Sequence, residues 1–335
     1  GTKNKEYANN VFPYSQFPQE KELKGEVIEL DTALFRYPFR IRIEGDKAIV
    51  LDLHGSDYYG HLFQYPSFRY LSSFGRRGDS PLEMLSMENF RLHNHTLWTL
   101  DANKSELTRL DFSSSGDSLL REETVALDED ILRPLDFAIY NDTTFVIPDY
   151  SGESRFLKVD CKGKLIEKIG TIPTTNKKAL QEARPALAQA WRSFLDYNSH
   201  NSVLATVTQL GEVVEIYNLK DSTHVIRVGE YDEPEFKVSD GYGIPTGIMG
   251  FSDVQVTDDA IYAVFHGTSF KDIARQSGRL SDGGKYIYVF SLKGEPLCKY
   301  VLDHYIYGIW VDEVTKTIMA TDVNNDQPIL KFSFG

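Results

Sequence analysis

The sequence predicts an all-β fold: a six-bladed β-propeller of four-stranded antiparallel blades, its ring closed by an N-terminal strand, with a short helical insertion before blade 4. Three observations predict it. A strand-like segment recurs six times, at residues 63–68, 107–112, 156–161, 214–219, 287–292 and 329–334. A second apolar strand precedes each one: KAIVLD at 47–52, TLWTLD at 96–101, TFVIPD at 144–149, VLATVT at 203–208, IYAVFH at 261–266 and TIMATD at 317–322. The final residues of these second strands, Asp52, Asp101, Asp149, Thr208, His266 and Asp322, are separated by 49, 48, 59, 58 and 56 residues. A period of that size, built of short strands alone, marks a propeller or a similar closed array.

Each unit reads as four strands, a to d from axis to rim. In the first, these are 39–43, 48–53, 61–65 and 69–74. Gly45-Asp46, Asn94-His95, Asn141-Asp142 and Asp258-Asp259 make a–b turns in units one, two, three and five, using residues suited to tight reversals. Strand a falls at 90–92, 135–140, 194–197, 254–256 and 307–311 in the later units. The sixth unit ends at Phe334-Gly335, directly after its c strand. Its missing d strand is expected from residues 25–30, which would close the ring and remove two exposed sheet edges. Residues 1–24, with Pro13 and Pro18 and mixed polarity, read as an extended tail. Residues 25–335 then form a single propeller domain.

Three insertions stretch the period. Residues 173–192 place Leu180, Ala183, Leu187 and Trp191 near helical spacing, with Pro185 splitting the helix. Residues 230–250 are rich in Gly, Pro and acids. Residues 267–284 carry Lys271, Arg275 and Arg279. In a four-stranded meander the d–a and b–c connections emerge on one face, so all three insertions crowd that face over blades 4 and 5. Loops of this length are commonly functional.

The chain has 335 residues, is 41% hydrophobic and carries a net charge of −13. That balance argues against a nucleic-acid partner, which needs basic patches. No run of apolar residues is long enough for a transmembrane helix. The first residues have no apolar signal core, and Gly1 in place of Met reads as the end of a trimmed chain. Cys161 and Cys298 fall in units three and five, too far apart for the roughly 7 Å Cα limit of a disulfide.

Candidate chemistry lies mainly on the insertion face. Asp52, Asp101, Asp149 and Asp322, with Thr208 and His266, end the six b strands there. Such a ring suits a hard cation, Ca2+ or another divalent ion. Alternatively each Asp accepts backbone N–H groups of its own b–c turn, and the regularity favours this. Asp322, Asn324 and Asp326 alternate as in a calcium loop but lack its glycine and its final acid. Arg77, in the Arg76–Asp79 loop, could hold a carboxylate or phosphate at the same face. Tyr150, Trp191, Arg192, Tyr242, His266 and Arg275 lie in or beside the insertions. They form either an aromatic platform for sugars or peptides or the small core of a lid. No histidine pair has metal-ligand spacing. No nucleophile elbow, Walker loop or dinucleotide fingerprint occurs.

The segment TLWTLDANKSELTRLDF (96–112) resembles the NHL repeat, a strand followed by Asp, a small residue, Asn, a basic residue and a second strand. SSFGRRGDSPLEM (72–84) is similar to its Gly-rich blade connection, and TFVIPDYSGESRFLKVD and TIMATDVNNDQPILKFS follow the same scheme. From about residue 25 the chain resembles NHL-type and TolB-like six-bladed propellers. The resemblance implies an exported protein of the Gram-negative cell envelope, either periplasmic or a surface lipoprotein, the latter held by a lipid anchor upstream of Gly1; the sequence itself shows no lipid-attachment cysteine. The expected function is a non-catalytic ligand- or protein-binding module without a cofactor. Its small-molecule, glycan or protein partner would dock over blades 4 and 5 through Arg77, Asp149, Tyr150, Trp191, Arg192, Tyr242, His266 and Arg275. Six-bladed lactonases are similar in architecture and hold a divalent metal through acidic ligands. The alternative is therefore a metal-dependent hydrolase using Asp52, Asp101, Asp149, Asp322 and His266.

Overall fold

Short strands of β-branched and aromatic residues, each ended by a turn former, fold into six sheets around an axis. The computed structural model describes residues 7–30 and 35–335. Gly1 and the rest of residues 1–6 of the expected tail lie outside the described residues. Blade 1 comprises Pro38–Glu44, Lys47–Asp52, Tyr58–Gln64 and Tyr70–Arg76, and blade 2 Asn89–His93, Thr96–Asp101, Glu106–Phe112 and Leu119–Ala126. Blade 3 is Ala138–Asn141, Thr144–Pro148, Phe156–Asp160 and Leu165–Ile169. Blade 4 is Ser193–Asn198, Val203–Thr208, Val213–Asn218 and Thr223–Val228. Blade 5 is Phe251–Val256, Ala260–Phe265, Gly284–Ser291 and Pro296–Ile306. Asn94 and His95 both take positive φ, 47° and 59°, the conformation a two-residue hairpin reversal requires.

Blade 6 joins the two ends of the chain. Ile309–Asp312, Thr317–Thr321 and Ile329–Ser333 supply a to c, and Glu26–Ile28 supplies d. Ile28, Val27 and Glu26 pair antiparallel with Ile329, Leu330 and Lys331. The described part of the preceding segment is hydrogen-bonded into the sheets. Val11–Pro13 runs parallel to Ile226–Val228 at the rim of blade 4, and Gln19–Leu23 runs parallel to Cys298–Leu302 at the rim of blade 5. Two outer edges that would otherwise offer unpaired backbone groups are thereby covered. Arg227 fastens the first of these strands, donating to the Phe12 and Pro13 carbonyls at 2.9 and 3.2 Å.

The apolar core lies between neighbouring blades. Leu100, Leu107 and Val125 of blade 2, for example, pack on Phe137, Phe145, Ile147 and Leu157 of blade 3. The axis itself is polar. Side chains of the a strands cross from each blade to the backbone of the next. Asp136 accepts from Leu195 N at 2.8 Å, Asp196 from Val256 N at 2.7 Å, Asp253 from Ile309 N at 2.9 Å and Gln255 from Val311 N at 2.7 Å. Arg91 donates to the Phe137 carbonyl at 2.7 Å and pairs with Asp136 and Asp196 at 3.1 and 2.7 Å. Each such bond satisfies a backbone group that the inner edge of a sheet would leave unpaired. Cys161 and Cys298 lie on blades 3 and 5, and both are free thiols.

Candidate functional site

The b-strand ends are turn caps. Asp52 accepts from Arg36 N at 2.9 Å, Tyr37 N at 2.7 Å and His54 N at 3.3 Å. Asp101 accepts from Leu85 N, Asn103 N and Lys104 N at 2.9, 3.1 and 3.0 Å, and from the Ser86 hydroxyl at 3.2 Å. Asp149 accepts from the amides and hydroxyls of Ser151 and Ser154 at 2.6–3.0 Å. Burial alone would raise its pKa; the bonds from Ser154 and Ser151 outweigh that and hold the carboxyl below its usual range. Asp322 accepts from Asn324 N at 2.9 Å and from the Asn325 side chain. Thr208 and His266 take over the same work. The Thr208 hydroxyl accepts from Val213 N at 3.3 Å, and His266 Nδ1 accepts from Thr268 N at 3.2 Å.

Four carboxylates saturated by N–H and O–H donors have few lone pairs left for a cation that wants several oxygens. Among the described residues no group of three or more His, Cys, Asp and Glu side chains could hold a metal ion. Asp149→Asn is expected to cost about 1–3 kcal/mol of stability through its lost charge-assisted bonds, read by urea denaturation. A melting temperature that responds to calcium in the wild type but not in this variant would overturn the capping role.

The three insertions form a layer over blades 4 and 5. The first contains two short helices, Lys177–Glu182 and Arg184–Ala190, broken at Ala183 with Pro185 in the first turn of the second. The second contains a hairpin, Phe236–Ser239 with Tyr242–Pro245. It sits on the second helix, where Gly243 N donates to Gln189 at 3.0 Å. A Cβ on Gly243 would meet the Ala186 carbonyl oxygen at 2.6 Å, so glycine permits this approach. The third contains the helix Phe270–Arg275, capped by Ser269, and is bridged to the second through Ile248 and Ser269.

Between this layer and the N-terminal strands a groove of about 800 Å3 opens on blades 4 and 5. One wall is a run of aromatic rings. Tyr231 lies 5.8 Å from Phe265, Phe265 stacks on Tyr288 at 4.8 Å, Phe17 follows at 4.7 Å, and Tyr14 meets Phe17 edge-on at 5.7 Å. Glu20, Glu212, Glu230 and Asp272 line it together with Lys299 and His266. Lys299 lies over the Tyr286 ring at 4.6 Å. Glu212 is 4% exposed, and Gly229 makes room for it, since a Cβ there would stand 1.7 Å from Glu212 Oε2. Burial pushes this carboxyl up to about 7; the Tyr14 hydroxyl facing it and the Tyr231 amide pull weakly the other way. Burial lowers the His266 pKa, against Asp282. With Nδ1 accepting from Thr268, the neutral ring carries its proton on Nε2. His266 also borders a small cavity of about 110 Å3 beside Tyr37, Phe194 and Tyr307 near the axis.

The residues expected to bind ligand do not converge. His266 lines the groove. Asp149 caps its turn, and neighbouring Tyr150 is buried with the Arg192 guanidinium 5.3 Å from its ring. Trp191 is core, packed with Leu187 of the insertion and with Val213 and Ile226 of blade 4. Arg77 lies on blade 1, over the Tyr59 ring at 4.6 Å. Tyr242 is exposed on the hairpin, and Arg275 is exposed beside Asp272. The groove residues Tyr14, Phe17, Glu212, Tyr231, Tyr286 and Tyr288 carry no motif. Tyr286 and Tyr288 lie on a strand of blade 5 and Tyr231 in an insertion, whereas Tyr14 and Phe17 come from the N-terminal segment, which the sequence does not place beside them.

Comparisons with known proteins agree with this architecture. A search of curated proteins finds no match. Among solved structures, a candidate exported protein of Bacteroides fragilis is similar at a TM-score of 0.60 and 12% identity, over 96% of this chain and 98% of that one. A DUF4221 family member from Bacteroides vulgatus is similar at 0.58 and 10%, over 94% and 96%. An auxiliary nutrient binding protein of Bacteroides ovatus is similar at 0.55 and 10%, over 90% and 70%. At these identities the likeness is one of fold. The family model for TolB-like six-blade propellers matches residues 16–314. With six blades closed through residues 26–28, the chain belongs to the TolB-like six-bladed propeller family.

Proposed function

We propose that the protein is a non-catalytic binding module of the cell envelope and that its ligand site is the groove over blades 4 and 5. The observation that carries this reading is the groove's composition: a continuous aromatic wall facing carboxylates, within about 800 Å3. That volume suits a small ligand. Aromatic rings take the C–H face of a sugar, and carboxylates, the imidazole N–H and hydroxyls bond its OH groups. A short neutral oligosaccharide is the ligand this chemistry favours. Export is supported by the fold's likeness to a candidate exported protein, and binding by its likeness to a protein described as nutrient-binding. No helix among the described residues is long and apolar enough to cross a membrane. No specific observation favours metal-dependent hydrolysis.

The test is calorimetric titration with a panel of neutral oligosaccharides. Tyr231 is 52% exposed and Tyr286 half-buried, so both can be truncated without opening the core. The Tyr231→Ala/Tyr286→Ala double variant is expected to lose about tenfold in affinity. A sugar present at 100 times its Kd should stabilise the wild type by about 2.7 kcal/mol. Unchanged affinity in the double variant, or in a chain lacking residues 267–284, would place the site elsewhere.

A further inference from the structure

The opposite face holds a second cavity, independent of the groove. A funnel of about 780 Å3 opens on the axis among the a–b turns. Its floor takes one side chain from the a strand of each blade: Arg42, Arg91, Ala138, Asp196, Gln255 and Val311. Arg91 is neutralised by Asp136 and Asp196. Arg42 is not. It is 3% exposed. Its Nε and Nη2 donate to uncharged acceptors, the Phe90 carbonyl at 2.8 Å and the Asn89 side-chain oxygen at 3.0 Å. Nη1 has no hydrogen-bond partner among the described residues, and no described carboxylate forms an ion pair with the group. Burial, helped by the like charge of Arg91 and opposed by Asp253 and Asp196, brings its pKa down to about 10, so it stays charged at neutral pH. Asp253 and Asp196 attract this charge through space without an ion-pair contact, and an anion arriving at Nη1 would make the charge-assisted bond that neither supplies.

The rim is acidic. Glu44 and Glu313 line it two residues beyond the floor positions Arg42 and Val311, and Asp258 and Asp312 join them. Two residues along a strand span about 7 Å on one face. His93 and His200 at the rim are paired with Asp142 and Asp258 at 2.7 and 3.0 Å; Glu44 Oε1 faces His95 Nδ1 at 3.5 Å and Glu313 Oε2 accepts from the Tyr262 hydroxyl at 3.0 Å, which leaves one oxygen of each for a ligand. The open Nη1 of Arg42 thus lies on a floor of mixed charge, about 7 Å along the strand from an acidic rim, and the side wall carries Tyr65, Tyr197 and Trp310.

We propose that this funnel binds an extended zwitterion, a small molecule with a carboxylate at one end and an ammonium about 7 Å away. The carboxylate sits on Arg42 and the ammonium between Glu44 and Glu313. Lysine and ω-amino acids have this shape.

The experiment is calorimetric titration of the full chain with 6-aminohexanoate, beside hexanoate and hexylamine, which each lack one end. 6-aminohexanoate is expected to bind at least roughly tenfold more tightly than either control. Arg42→Gln is expected to weaken it roughly 10- to 100-fold. Glu44→Gln/Glu313→Gln should bring it down to the level of hexanoate. Because Arg42 is buried, a second variant avoids the core: Val314, 94% exposed at the funnel mouth, replaced by Trp, should obstruct the ligand. Tyr286→Ala in the groove should leave 6-aminohexanoate affinity unchanged, which separates this site from the groove. The proposal is overturned if 6-aminohexanoate gives no binding heat, if either control binds equally well, or if Val314→Trp and a folded Arg42→Gln bind as the wild type does.

Discussion

Glu215→Ala is expected to destabilise the protein by about 3–5 kcal/mol, the loss that follows when one partner of a buried ion pair is removed. Glu215 is 0% exposed and Arg155 3%. Arg155 reaches from blade 3 to blade 4, its Nη2 donating to Glu215 Oε2 at 2.6 Å and its Nε to both carboxylate oxygens at 3.2 Å. The same guanidinium donates to the Trp191 carbonyl at 3.2 Å and the Ser193 hydroxyl at 2.8 Å, and the Tyr217 hydroxyl donates to Glu215 at 3.0 Å. Alanine at 215 leaves a guanidinium in the interior with two neutral acceptors and an unpaired tyrosine hydroxyl. Urea denaturation read by circular dichroism measures the loss. Removing both charges, as Arg155→Met/Glu215→Leu, should recover much of it, since the penalty belongs to the unpaired charge. A loss below about 1 kcal/mol for Glu215→Ala would mean that the pair is solvated.

Glu212 makes the second large prediction, and its sign is unusual for a carboxylate. In the unfolded chain it releases its proton near pH 4.5, whereas in the folded protein it holds it until about pH 7. Between these values the folded state binds more protons. The stability contribution is therefore complete below pH 4.5 and is lost as pH rises through 7, amounting to roughly 3 kcal/mol. Glu212→Gln removes the titration. The difference in unfolding free energy between variant and wild type should grow in the variant's favour from pH 5 to pH 8. Parallel pH profiles for the two proteins would mean that Glu212 ionises normally. The groove should follow the same proton, since below pH 7 Glu212 can donate a hydrogen bond to a ligand and above it only accept.

The fold was legible because every blade repeats one local pattern, an alternating strand ended by a turn former. Even the sixth blade could be closed, since residues 26–28 are found pairing with 329–331. The repeated Asp was legible as a turn cap for the same reason, and His266 departs from the pattern in residue type while keeping the i to i+2 bond. The polar axis was not legible. Arg40, Arg42, Arg91, Asp196 and Asp253 sit in short strands of alternating character, where a charge reads as solvent-facing. Only ring closure turns those positions toward one another. The outer pairing of Val11–Pro13 and Gln19–Leu23 was equally silent, because a parallel rim strand answers to an edge more than 200 residues away. Trp191 shows the limit for single residues: beside a long loop an aromatic suits a platform or a core, and only packing with Leu187 and Val213 decides.

The order of the pairings bears on how the chain is made. The three N-terminal strands find their partners at 226–228, 298–302 and 329–331. A ribosome delivers these partners in that order. The first strand must therefore wait for blade 4, the second for blade 5 and the third for blade 6. Pairings of such long sequence separation are slow to form, and a waiting strand with apolar side chains would invite aggregation. Gln19–Leu23 reads QEKEL, and its polarity lets this middle strand stay solvated until blade 5 is delivered; the strap closes in the direction of synthesis.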